Sequence, residues 1–293
     1  MILAQLIING IIAGAIYALM ASSFSLIFNI VKFMDLSLGA LFVTGAFSAY
    51  TFNVVLGFPF FLAMLFALIF TVVIGMLINQ FVYKHLRNKN ATNFVFLLTS
   101  FGVFLFITGA ILLFYGAEVK SFNNEISKGY EILGFIITRT QIELIAVSII
   151  LFIVLQIFMN YSKTGRAMRA MADDKSIAST LGINPEKMIV ITSVIAALFA
   201  GIAGILVALE QNLEHTMGFN AILKGLTASI IGGVGNVPAS ILGGFLIGIV
   251  ENIGIWYLPS GYKDAISFAL LIIFLLLRPH GLLGVKTRED KSG

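Results

Sequence analysis

Nine apolar runs divide the chain, near 3–28, 36–53, 58–82, 93–115, 141–159, 188–210, 219–233, 238–257 and 262–278. Most exceed the roughly 18 residues that mark a membrane-spanning helix, while 219–233 is shorter, and none shows the ten-residue alternation of a transmembrane strand. The pattern predicts an all-α, polytopic membrane protein with about 8–9 transmembrane segments.

One long hydrophilic island, 161–187, interrupts this pattern between the fifth and sixth runs. It reads as a short surface helix. Ala167, Ala170, Met171, Ile177, Ala178 and Leu181 recur mostly at three- and four-residue steps, giving one small apolar side, while Arg166, Arg169 and Asp173 lie elsewhere. Arg169 and Asp173 are spaced as an i,i+4 pair. Gly182 is placed to stop the helix, because glycine enters the left-handed region without a Cβ penalty, and Asn184, Pro185 and Glu186 restart one as cap, first position and dipole-matched acid. A solvated connection is the plain reading of such a stretch. A connection need not carry its own capped, small-residue helix, which suits contact with another protein.

The second irregularity is a glycine-rich break within 219–238. Gly232, Gly233, Gly235 and Pro238 interrupt apolar sequence, predicting a broken or re-entrant helix whose freed backbone groups border a path. The alternative is close helix packing through small residues such as Gly243, Gly244 and Gly248. Glu251, followed by Asn252, falls well inside the next run, where an ionisable group costs on the order of 2.5–3.5 kcal/mol unless it meets water or a partner. It is expected to face the interior, either bordering a path or tying helices together. The same expectation holds more weakly for Asn9, Asn79, Gln156 and Glu210. Asp35, followed by Ser37 and Gly39, either caps the second helix or lines a water-filled path.

Composition sharpens the class. The chain of 293 residues is 59% hydrophobic and 11% charged, against roughly a quarter charged in a soluble domain. Lys32, the 84–89 stretch, the island and the C-terminal end from Arg278 hold most of the basic residues, so the positive-inside rule makes that side cytoplasmic. With nine crossings the N-terminus is outside, the C-terminus inside, and the 116–140 loop outside. A formal charge of +4 dispersed this way gives no basis for nucleic-acid binding. The absence of cysteine excludes disulfides and thiol chemistry. No phosphate-binding loop, His-Glu-x-x-His or Gly-x-Ser-x-Gly motif occurs, and His85, His215 and His280 have unrelated spacings, so neither an enzyme nor a metal site is expected.

The island, the break and the C-terminal end together resemble a known family. Gly165-Arg166-Ala167 through Arg169-Ala170, with Ala178 and Leu181-Gly182-Ile183-Asn184, is similar to the cytoplasmic loop of branched-chain amino-acid permeases of ABC importers. So are Ile231–Pro238, Gly243-Gly244 with Gly248 and Glu251, Tyr262–Leu271, and Arg278–Gly284. Asp35-Leu36-Ser37-Leu38-Gly39 departs from the family's Asn-Phe-Ala-His-Gly-Glu and looks like the Asp-Leu-Ser-x-Gly of related monosaccharide permeases.

This resemblance implies a single permease domain over 1–286 with a short cytoplasmic tail, 287–293, in a bacterial-type cytoplasmic membrane. The implied partners are a second permease subunit, in a heterodimer or a homodimer, two cytoplasmic ATPase subunits and an extracytoplasmic solute-binding protein. The chain itself would bind no cofactor, since ATP and Mg are used by the partner ATPases. The island becomes the coupling element, with Gly165, Arg166, Arg169, Ala170, Asp173, Ala178, Gly182, Ile183 and Pro185 as candidate coupling residues. Asp35, Ser37, Gly39, Gly232, Gly233, Gly235 and Glu251 are the candidate pathway residues. The implied function is ATP-coupled alternating access for branched-chain or related amino acids. Permeation of a sugar or short amide is the alternative. An ATP-independent secondary transporter is another, and paired buried charges would favour it; mainly Glu251 is evident.

Overall fold

The computed structural model describes residues 2–122, 129–132, 135–278 and 281–283. Among them, eight helices are long and apolar enough to cross a membrane, and a ninth is shorter. In chain order these are α1 (Ile2–Val31), α2 (Ser37–Tyr50, extended by a π-helical turn to Val55) and α3 (Phe60–Leu77). A second π-helical turn, Ile78–Tyr83, joins α3 to the short α4 (Lys84–Asn88), and α5 covers Asn93–Tyr115. A two-stranded antiparallel hairpin, β1 (Gly129–Ile132) and β2 (Phe135–Thr138), precedes α6 (Arg139–Tyr161). The island holds α7 (Lys163–Asp173) and α8 (Lys175–Thr180). Helices α9 (Pro185–Glu210), α10 (Met217–Gly232), α11 (Val237–Gly254) and α12 (Lys263–Leu277) complete the bundle.

Burial separates an inner group of helices from an outer one. Most of α1 is enclosed, followed by α2, α9 and α11, whereas α3, α5, α6 and above all α12 expose apolar side chains such as Phe61, Ile69, Phe106, Leu113, Ile153 and Leu276. In water such a surface would be an aggregation hazard; around a membrane bundle it is the face that lipid covers. The inner helices approach closely because their interfaces are built on small residues. On α1, Gly10, Gly14 and Ala18 recur at four-residue steps, and on α11 so do Gly244 and Gly248. A Cβ built on Gly10 would lie 2.7 Å from the Ile249 Cα, and one on Gly14 would lie 2.8 Å from the Phe245 Cα. Helix backbones without side-chain spacers gain dispersion contacts that lipid cannot match. The α2–α9 crossing repeats the device, with Gly45 against Gly201 and Gly204 against the Phe42 backbone.

The break predicted within 219–238 lies at 233–236, between α10 and α11. It is a tight turn joining antiparallel helices. Gly233 has φ +132° and Gly235 φ +84°, conformations that side chains with a Cβ rarely adopt. Asn236 caps α11 by accepting from the Ala239 N–H, and Pro238 stands in its first turn. The turn sits beside Phe28 and Asn29 at the end of α1, and the Leu282 and Leu283 N–H groups donate to the Ile231 and Gly232 carbonyls. At 16 residues α10 is about 24 Å long, short of a ~30 Å hydrocarbon core. The segment ahead of it, 211–216, joins it to α9, with Leu213 bonded to Lys120 in both directions. Tail 287–293 lies outside the described residues.

Candidate functional site

The bundle has two chemically different ends. At one end, a cavity of about 560 Å³ is walled by α1, α6, α9, α10, α11 and α12, with Met20 of α1 and Phe42 of α2 reaching into it. At the other end, Lys32 and Arg87 share a smaller cleft of about 290 Å³ with Met171, Asp173 and Lys175 of the island. Partial burial pulls the Lys32 ammonium below the ordinary lysine range, and Asp173 opposes that shift.

The large cavity is lined by both apolar and polar side chains. Ile12, Ile16, Met20, Phe42 and Val207 are apolar; Asn9, Gln141, Glu210, Asn220, Lys224, Asn252, Lys263 and Asp264 supply the polar groups. Gln141 donates to Glu210 at 2.8 Å and Gln5 to Asn9 at 3.2 Å, so three of these polar groups are already hydrogen-bonded.

Behind this lining lies a buried ionic cluster. Glu251 on α11 is 1% exposed, and the expectation that it faces the interior holds. It accepts from the Tyr17 hydroxyl of α1 at 2.9 Å, from the Lys224 ammonium of α10 and from the Ser267 hydroxyl of α12. Lys224 also donates to Ser267 at 2.8 Å and pairs with Asp264 at 2.9 Å, so all three of its N–H donors are used. Four helices are thus tied at one point. Lys224 is the residue that sequence reasoning missed. Its signal was present: a lysine within an apolar run is as costly as a glutamate there, and each offsets the other's desolvation.

Asp35 and Ser37 occupy a different place. Asp35 is buried and accepts from the Ser37 N–H at 2.9 Å, the Ser37 hydroxyl at 2.6 Å and the Tyr83 hydroxyl at 2.6 Å. The group closes the start of α2 against the π-helical turn after α3, and neither of the two cavities above touches it. Gly39 lets α10 pack there, since a Cβ on it would meet the Ile222 side chain and the Gly218 carbonyl. Gly232 and Gly233 likewise serve contact: a Cβ on Gly232 would lie 2.7 Å from the Ser240 Cα, and Gly233 sits against Gly281. Gly235 faces Phe28 and Asn29. Asn79 is buried and accepts from Arg87 at 3.0 Å, but Gln156 is exposed on the outer side of α6, against the expectation that it faces inward.

In the island, the caps are found where the residue types put them. Asn184 accepts from the Lys187 N–H at 3.1 Å, Pro185 opens α9, and Gly182 has φ +86° after α8. Glu186 reaches back to Arg87, which holds it with two donors at 3.1 and 2.9 Å. Two features differ from the sequence reading. The single helix is two, because Asp174 takes an extended conformation and caps α8 through the Ser176 and Ile177 N–H groups. Arg169 does not pair with Asp173; it donates to the Asn160 side chain at 2.8 Å and main chain at 3.3 Å, closing α7 onto the end of α6.

Gly165 permits that closure. A Cβ there would lie 2.6 Å from the Met159 carbonyl oxygen. Met168 and Met171 are buried beneath α7, with Ala178 buried under α8, Ala170 and Ile183 partly covered, and Pro185 likewise. Arg166 and Asp173 are exposed. So are Ile177 at 60% and Leu181 at 75%, two large apolar side chains on an otherwise polar loop surface.

A multi-pass helical bundle with a polar cavity at one end and a capped helical pair at the other is the architecture of a membrane permease. Residues 6–275 match the family described as "Branched-chain amino acid transport system / permease component", and the chain belongs to that family. It is 31% identical to the high-affinity branched-chain amino acid transport system permease protein BraD of Pseudomonas aeruginosa, over 96% of this chain and 95% of that protein. The corresponding protein LivH of Escherichia coli shows the same identity and coverage. A shorter likeness, 28% identical over 41% of this chain and 28% of the other, is to LivM of the same organism, also a high-affinity branched-chain amino acid transport system permease protein.

Proposed function

We propose that this chain is one membrane-spanning half of an ATP-driven importer for branched-chain or closely related amino acids. A solute-binding protein delivers the solute at the cavity end, which is extracytoplasmic, and two ATPase subunits seat against the island at the cytoplasmic end. In this reading the N-terminus is outside and the C-terminus inside, in a bacterial-type cytoplasmic membrane. A second permease subunit completes the path; the likeness to both LivH and LivM supports a heterodimer. The chain binds no nucleotide, and ATP with Mg acts in the ATPase partners.

The observation that carries the reading is the island. Exposed Ile177 and Leu181 stand on a platform fixed from below by Met168 and Met171 and anchored by Gly165 and Arg169. Apolar side chains presented on a rigid support, rimmed by Arg166, Asp173 and Lys175, are what a protein groove takes up. ATP-driven closure of the ATPases then moves α6 and α9, the helices entering and leaving the island, and opens the cavity in turn to each side. Arg166 orients the docked pair, and Gly182 with Pro185 sets the angle at which α9 leaves.

A second reading has one observation in its favour. The Lys224–Glu251 pair is the buried charge pair that an ion-driven transporter would need. Purifying the tagged chain in mild detergent and identifying what accompanies it separates the two. An ATPase together with a second permease or a binding protein is the expected result. The chain alone, transporting in vesicles on an ion gradient without ATP, overturns the importer reading.

A further inference from the structure

We propose that the 560 Å³ cavity is a transit site for a free α-amino acid, with Lys224 as the anchor of its carboxylate and Asp264 as the receiver of its ammonium. The inference rests on the importer reading and adds where the solute is held and by which groups. The volume falls within the roughly 300–1,000 Å³ of small-molecule sites. Its lining meets the two demands of a branched zwitterion, apolar residues for the side chain and opposite charges 2.9 Å apart for the head group.

The charges are arranged for exchange. Lys224 bridges two acids of opposite character, Glu251 fully enclosed and Asp264 66% exposed. Glu251, held by Tyr17 and Ser267, keeps Lys224 in place. Asp264 lines the cavity and is paired with Lys224 at 2.9 Å, so it is the partner that an incoming carboxylate can replace. The released Asp264 then faces the solute's ammonium. Before and after the exchange every charge has a counter-charge, so entry leaves no ion unpaired in a low-dielectric site. Ile12, Ile16 and Met20, one helical turn apart on α1, and Phe42 of α2 supply apolar lining. A neutral sugar or amide would gain nothing from breaking the Lys224–Asp264 pair. An amino acid replaces it with two.

The test uses the assembled transporter in lipid nanodiscs and a diazirine-bearing leucine analogue, photolysed and mapped by peptide mass spectrometry. Adducts are expected on α1 between Ile12 and Met20, on Phe42 or on Met217. Excess leucine should suppress them, while leucinamide, lacking the carboxylate, and 4-methylpentanoate, lacking the ammonium, should not. Asp264→Asn, at an exposed side chain, should lower labelling by about tenfold or more, the scale of one lost charge-assisted contact, and Ala221→Phe, which fills cavity volume, should lower it at least as far by exclusion. Adducts confined to other segments, equal competition by leucinamide, or unaltered labelling of both variants would overturn the assignment. ATP-driven leucine uptake by the same complex in proteoliposomes separates the two levels. Uptake with an unlabelled cavity removes the transit site and leaves the importer reading standing, whereas no leucine uptake and no labelling removes both.

Discussion

Lys224 of α10 and Glu251 of α11 form an ion pair buried among four helices, with side chains 8% and 1% exposed. Removing Lys224 leaves Glu251 enclosed and without its counter-ion, whereas removing Glu251 leaves Lys224 with Asp264. Lys224→Met should therefore destabilise the protein by about 3–5 kcal/mol. Lys224→Met combined with Glu251→Leu should recover most of that loss. Thermal unfolding of the single, double and reciprocal variants in detergent measures the coupling directly, and additive losses would show that the pair is not an energetic unit.

The seat of the island depends on Gly165. Gly165→Val forces side-chain atoms against the Met159 backbone, with an overpacking cost of about 1–3 kcal/mol borne by α7 rather than by the spanning bundle. The expected outcome is a protein with near-normal melting behaviour whose 163–173 segment becomes sensitive to protease and which no longer retains its ATPase on purification. Retained ATPase with unaltered protease resistance would show that α7 tolerates the shift.

Ile177 and Leu181 test the docking surface without touching the fold. Because both are exposed, Ile177→Asp and Leu181→Asp should change stability by no more than about 0.5 kcal/mol. ATPase retention should fall steeply in the double variant. A double variant that still co-purifies its ATPase at the normal ratio would place the interface elsewhere.

The small-residue seam between α1 and α11 predicts a contrast among glycines of the same chain. Gly14→Leu and Gly248→Leu push the helices apart and should abolish folded yield in fluorescence-detected size exclusion. Gly102→Leu and Gly109→Leu, on the outer helix α5 with nothing within 4 Å of an added Cβ, should be tolerated. Equal loss in both pairs would show that close packing at the α1–α11 seam does not set these sites apart, since leucine is the better helix former at all four.

How legible the molecule is in its sequence differs from feature to feature. The caps of the island can be read because a cap is local chemistry: Asn184, Pro185 and Gly182 act within three or four residues of themselves. Arg169 shows the limit of local reading. Its i,i+4 spacing to Asp173 is favourable, yet Asn160, nine residues back, wins because α7 folds against the end of α6. The glycine break was visible as a break, but its place at the end of α1, beside Asn29, follows from how α10 and α11 pair.

Hydropathy alone settles that the chain is a polytopic helical membrane protein, because a buried backbone in lipid has no other spanning form for such long apolar runs. Charge placement along the loops, the capped island and the absence of a nucleotide motif were likewise readable in one dimension. The partners of Glu251 were not. Tyr17, Lys224 and Ser267 come from three other helices, and their meeting depends on which small-residue faces are pressed together. The sequence sets the cost of burying each charge; only tertiary packing decides which opposite charge offsets it, and where that leaves a cavity.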